Sequence, residues 1–379
     1  MEREEQQRGS DADNGVPLLS EGGMEDRPSG RVGEIPVSYL KRMSAVDRRK
    51  LMTLLGGLGV AATALTSDLA RPRVVRAEDI RQVRAASITL SQWDARFGGD
   101  GLVQSAAEGE MARARALLEL SCPASLKQDL FTDVGRLAIV LGAAAFDRLQ
   151  HNEATVLLDL GRQCAEEADN WSLRANALNW RARQEIWRGR PEEGLTLAEE
   201  GLVRADRLTP REQSMLHNAR ARAFAKMERP GEARSAISLS DDIVTRAKDV
   251  GEEAPWMVFY DHAQHLGDTG HAAFDIAMLR GNQGSVELAR HRLEAAVDGH
   301  STEFARSRAL SGTKLATLLM STGEPDRAVA VATRALDDVG RLRSRRAAAD
   351  VASLARAAAP FSRRPELAEL RARIGTVLA

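Results

Sequence analysis

The sequence predicts an all-α fold built as a series of antiparallel helix pairs. Three observations carry this. From about residue 80 onward apolar residues recur at helical spacing, with no sustained alternation of period two. The interruptions are short and marked by Gly or Pro: Gly98-Gly99, Gly189-Arg190-Pro191, Pro210, Pro230-Gly231, Gly267, Gly281, Gly323-Glu324-Pro325 and Pro360. The chain is 43% hydrophobic but only 4% aromatic, so its core is built mainly from Ala, Leu and Val. Sheets favour β-branched and aromatic residues, which this composition does not supply. A length of 379 residues suits one elongated repeat domain or two ordinary domains.

Three regions are expected. Residues 1–36 hold nine acids and four bases, with little apolar content, and are read as a disordered acidic tail. Residues 37–79 form a basic linker with a short apolar helix; up to residue 76 it carries eight bases against two acids. Residues 80–379 form the helical-repeat domain. The whole chain has a net charge of −1, which gives no general case for nucleic-acid binding. Two cysteines, Cys122 and Cys164, exclude a disulfide scaffold and a Cys-rich zinc site.

Within the linker, Asp47-Arg48-Arg49-Lys50-Leu51-Met52 precedes an apolar run from Leu51 to Leu65. The pattern is like a twin-arginine export signal, with Ala62-Thr63-Ala64 as a cleavage site. The pair lies far from the start, follows Asp47, and its apolar run is broken by Gly56, Gly57 and Gly59. The run is also shorter than the roughly 20 residues that span a bilayer. The expectation is a small helix docked on the body and a cytoplasmic protein. The alternative is an exported or membrane-tethered protein that uses residues 47–65.

The clearest repeat unit is Leu315-Ala316, Leu319, Gly323, Ala328 and Ala335-Leu336. It resembles a tetratricopeptide repeat. Small residues at 316, 328 and 335 let two helices approach closely, and Gly323 permits the turn between them. Pro325 suits the first turn of the second helix, where a missing N–H is harmless. Weaker copies run through Leu141-Gly142 to Gly161, Ala182 to Leu202, Ala221 to Ile237 and Phe274 to Leu293. The first-helix anchors at 142, 182, 221, 274 and 316 are 39 to 53 residues apart. Ideal repeats have a period of about 34, so helices or connections are longer here. The widest gap holds extra material around Gly251 to Phe259.

Four stretches carry a more specific resemblance: Arg136 to Asp147, Asp169 to Trp180, Phe259 to His271, and Arg306 to Leu310 with the repeat after it. Together they resemble the C-terminal helical-repeat region of actinobacterial transcriptional regulators, which follows a phage-repressor-type helix-turn-helix in that family. The resemblance spans roughly residues 45–375. It implies a non-enzymatic regulatory or protein-interaction module, the sensor body of a transcription-control system. The 36 polar residues before the linker are too few for a helix-turn-helix. Direct DNA binding is therefore not expected, and a separate DNA-binding regulator is an expected partner. A homodimer is compatible with this reading.

Candidate chemistry is sparse. His262, His265 and His271 cluster with Asp261 and Asp268, but Gly267 is expected to end that helix, leaving a turn with solvated or capping histidines. No metal or other cofactor is expected. The sequence lacks a P-loop, HExxH, G-x-S-x-G and CxxC, so no enzymatic activity is expected. Arg341 to Arg346, with Arg363 and Arg364, reads as the solvated stripe of a terminal helix. A polar pair repeats: with Ala182 and Ala221 as equivalent positions, Asn179 and Arg183 match Asn218 and Arg222, four apart on one face. Arg136 and Asn176 match each other at a second groove position. By resemblance to peptide-binding repeats, Arg136, Asn176, Asn179, Arg183, Asn218 and Arg222 would clamp a peptide or partner protein. Arg forks to a carboxylate, and Asn bonds a peptide amide.

Overall fold

Short helix-breaking turns divide the chain into rods that have to fold back on one another, and the computed structural model shows where. It describes residues 74–246, 253–279, 284–361 and 363–378. The acidic tail, the twin-arginine pair and most of the basic linker lie outside the described residues. Among the described residues there are fourteen α-helices and no strand; Val74 and Ser121 make one isolated bridge. The helices are α1 (Ala77–Phe97), α2 (Leu102–Leu118), α3 (Ala124–Asp147), α4 (His151–Glu167), α5 (Trp171–Trp187), α6 (Pro191–Leu202) and α7 (Pro210–Lys226). They continue as α8 (Pro230–Arg246), α9 (His262–Ala277), α10 (Gly284–Gly299), α11 (Ala305–Ser321), α12 (Pro325–Val339), α13 (Arg345–Ala358) and α14 (Pro365–Leu378). None of them is long and apolar enough to cross a membrane.

From α3 onward each odd-numbered helix packs against the even-numbered helix after it. All five repeat anchors fall on the first helix of a pair, and α13 with α14 adds a sixth pair. Local sequence explains the boundaries. Asn170 caps α5 by accepting from the Leu173 N–H at 3.0 Å. Thr209 and Glu212 form a reciprocal capping box at α7, with Pro210 in its first turn. Ser344 caps α13 through the Ala347 N–H at 3.1 Å.

Five of the turns share one device. Leu149, Asp169, Gly189, Glu228 and Gly323 all take positive φ, from 48° to 85°. The residue after each donates its N–H back to the last helical turn, as in Arg229 to the Phe224 carbonyl at 2.9 Å. Only two of the five are Gly, which tolerates this conformation without a Cβ penalty.

Inside a pair, helix approach is set by missing side chains. A Cβ on Gly142 of α3 would lie 2.7 Å from Leu158, and one on Gly161 of α4 would lie 2.6 Å from Ile139. The clearest unit behaves as its pattern requires: Ala316 and Ala328 have no exposed surface, and Leu315 and Leu319 are buried beside them. One expected break is absent. Gly267 sits inside α9, which runs unbroken from His262 to Ala277. Packing against α10 and α11 holds this stretch helical, and a Cβ at Gly267 would come within 3.2 Å of Ser311.

The early helices also meet the late ones. The Arg343 N–H donates to the Phe97 carbonyl at 2.7 Å, and a Cβ on Gly98 would strike the Arg343 carbonyl oxygen at 2.6 Å. Asp147, at the end of α3, is the hub. It accepts from Ser344 Oγ at 2.9 Å and from the Gly99 N–H at 3.3 Å, and it lies 3.5 Å from Arg346 and 3.8 Å from Arg306. Arg306 donates to Asp94 of α1 at 2.6 Å. This clasp joins α1 and α3 to α11 and α13, so the inner faces of the first helices surround a cavity.

Candidate functional site

The cavity measures about 830 Å³. It is walled by α1, by the first helices α3, α5, α9, α11 and α13, and by the short 3-10 turn Pro255–Phe259. On α3, Arg136, Val140 and Ala143 share one face at helical spacing and all line it. On α5, Asn179, Trp180 and Arg183 do the same. The apolar part of the wall includes Trp180, Trp256, Phe259, Phe304 and Leu310.

Charge in this wall is mostly neutralised pair by pair. Arg84 meets Asp133 at 2.9 Å, Arg183 meets Asp268 at 2.8 Å, Arg306 meets Asp94, and Arg346 faces Asp147. Burial alone would lower the Arg306 guanidinium, but Asp94 and Asp147 hold it above its ordinary value. Burial raises the Asp94 carboxyl, with Arg306 opposing the shift. Burial pushes Arg346 down to about 10 although Asp147 stands close by.

Among the wall arginines that are not exposed, Arg136 is the exception. No carboxylate of the described residues pairs with it. Its contacts are the Asn176 Oδ1, which accepts at 3.3 Å, and the Ser91 Oγ at 3.5 Å. Burial pushes it down to about 10, so it stays charged at neutral pH as a cation without a counter-charge. Other polar atoms in the wall also lack partners. Asn179 is 1% exposed, and its Oδ1 makes no hydrogen bond. The Trp256 Nε1 and Arg183 Nε are likewise buried and unbonded. Buried polar atoms are normally satisfied, so several orphans around one cavity mark it as a place for polar contacts.

Of the six residues expected to form a groove, Arg136, Asn179 and Arg183 line the cavity. Asn176 is fully buried just behind Arg136 and orients it. Asn218 and Arg222, on α7, are elsewhere. The extra material of the widest gap covers the inner face of α7: Met257 and Tyr260 pack on Met215, and Asn218 Nδ2 donates to the Tyr260 hydroxyl at 2.5 Å. Arg222 pairs with Asp275 at 3.1 Å and lines a separate cavity of about 250 Å³ with Lys226, Lys314 and Asp350. The repeated sequence pair therefore does not produce a repeated surface.

Arg306, Arg346 and Trp256 are site residues that the polar repeat does not reveal. Arg346 belongs to the basic run read as a solvated stripe, yet it is buried and lies 4.7 Å from the centre of the Phe146 ring. The histidines are not a turn cluster either. His265 and His271 are buried within α9, and only His262 is exposed. Burial and the nearby Lys314, Arg222, Arg183 and Arg346 keep His271 neutral. Among the described residues, no three His, Cys, Asp or Glu side chains stand close enough to share a metal ion.

His265 lies 2.8 Å from Asp241 and 3.3 Å from Ser214 Oγ, an arrangement like that of a hydrolase triad. It has a structural use instead. Ser214 has no exposed surface and bonds Ser240 at 2.6 Å and Tyr260 at 3.0 Å, and neither cavity borders it. Burial alone would raise Asp241, but hydrogen bonds from His265 and Arg292 hold it down to about 2. The network ties α7, α8 and α9 together. The sequence matches no family model and no curated protein, so the chemistry of the cavity itself carries the functional reading.

Proposed function

We propose that this chain is a non-enzymatic sensing module that holds a ligand in its central cavity. The ligand carries an acidic group, either as a small molecule or as the tip of a peptide or partner protein. The observation that carries this reading is Arg136: a half-buried cation facing the cavity, with no acid among the described residues to pair with it. Such a group lowers stability, and an anionic ligand would relieve it. The resemblance to the repeat region of transcriptional regulators supports a place in transcription control, acting through a separate DNA-binding regulator. A tetratricopeptide-like origin of the helix pairs agrees with the register of Ala316, Gly323 and Ala328.

A chromosomal replacement tests this. Arg136→Met with Asn179→Ala should leave the protein at normal abundance while reproducing the transcript changes caused by deleting the gene. A wild-type transcript profile in that strain would count against a ligand-dependent regulatory role.

A further inference from the structure

The cavity specifies more than an acidic group. Its volume of about 830 Å³ lies in the range that holds drug-sized ligands, roughly 300–1,000 Å³, and it is closed on the α13 side by the clasp. One half-buried cation, Arg136, lacks an acid among the described residues, so one negative charge on the ligand is favoured. A second charge would meet Asp94, Asp133 or Asp268, whose own partners are already in place. The wall supplies ring surfaces in Trp180, Trp256 and Phe259, which favour stacking with a flat apolar body. The wall also carries orphan atoms of defined polarity: the Trp256 Nε1, a donor only, and the Asn179 Oδ1, an acceptor only.

We propose that the ligand is an amphipathic monocarboxylate with a ring-containing apolar body and one or two carbonyl or hydroxyl oxygens. Its carboxylate meets Arg136, a hydroxyl donates to the Asn179 Oδ1, an oxygen accepts from the Trp256 Nε1, and its rings lie against Trp180 and Phe259. This rests on the reading of the cavity as the ligand site. The planar guanidinium, steadied by Asn176 and Ser91, presents a fork that fits a carboxylate better than a neutral amide.

Fluorine NMR titration of the full chain tests the proposal, with a fluoronaphthoic acid and its primary amide as probes. The acid is expected to bind about 10- to 100-fold tighter than the amide, the value of a hydrogen bond to a charged group. In Arg136→Met the ratio should fall to near one while amide affinity stays unchanged. Equal affinity of the wild-type chain for acid and amide overturns the proposal. A short apolar tripeptide with a free carboxyl group is the third probe. If it binds in an Arg136-dependent way and the naphthoic acid does not, the ligand class is wrong and the cavity remains the ligand site. If neither probe binds in an Arg136-dependent way, both the class and the site are overturned.

Discussion

Replacing Asp147 with Asn changes one atom's chemistry and removes the charge at the centre of the clasp. Asp147 is 1% exposed, and it is the acid that faces Arg346. The amide keeps the shape and an oxygen for Ser344, but it leaves the buried Arg346 guanidinium unpaired. Arg306 is less affected because Asp94 still binds it at 2.6 Å. Breaking one side of a buried ion pair typically costs about 3–5 kcal/mol. At about 2 °C per kcal/mol for a chain of this size, the melting temperature should fall by roughly 6–10 °C. Urea unfolding should show the same loss as a lower midpoint with an unchanged slope. Asp147→Asn with Arg346→Met removes the orphan charge and should recover at least about half of that loss. Hydrogen exchange should rise most in residues 94–100 and 343–346, where the early and late helices meet. An Asp147→Asn protein within 1 kcal/mol of wild type, or a double mutant no better than the single, would refute the clasp as the element that closes the cavity.

Three further outcomes follow from the same packing. Ala328→Leu should overpack the α11–α12 seam, where Ala328 has no exposed surface, and cost about 1–3 kcal/mol in urea unfolding. Glu228→Gly should raise stability by up to about 1 kcal/mol, because Glu228 is exposed and holds φ at 57°, a conformation that Gly adopts without strain; an unchanged midpoint would contradict this. Burial, and then Arg220 beside it, push His217 down to about 4, below its unfolded value near 6.5. The unfolded chain therefore takes up a proton first, and stability should fall as pH drops from about 6.5 toward 4. Discounted for solvent, the loss is about 1 kcal/mol at pH 5, and unfolding curves of His217→Gln should lack it.

The helix pairs were legible because they depend on local chemistry. Ala316, Gly323 and Ala328 are close in sequence, and their spacing fixes both the turn and the seam. The cavity was legible only in part. Asn179 and Arg183 could be placed from register, since α5 is a regular first helix. Asn218 and Arg222 occupy the same register, but an irregular insertion supplies Tyr260, whose hydroxyl takes Asn218. No periodicity announces that contact. The clasp is less legible still. Arg306 meets Asp94 across 212 positions and Ser344 meets Asp147 across 197, so no local spacing links them. Arg346 reads as one more arginine in a basic run because its burial depends on those distant partners. Gly267 shows the opposite failure: a residue with poor helix propensity stays helical inside α9, where Ser311 lies 3.2 Å from the place a Cβ would take.

The central claim is that Arg136 is a binding group kept at the expense of stability. Unfolding free energy of ligand-free wild type and Arg136→Met at pH 7 tests it most directly. Methionine fills similar volume without charge, and burial has already lowered the arginine to about 10. Removing a half-buried charge that no acid offsets should stabilise the fold by about 1–3 kcal/mol, with the gain shrinking as pH rises through 10 and the arginine loses its proton. A loss of 1 kcal/mol or more on Arg136→Met would contradict the account, for it would make Arg136 a structural member of the α1–α3–α5 packing and not a receptor for an anion.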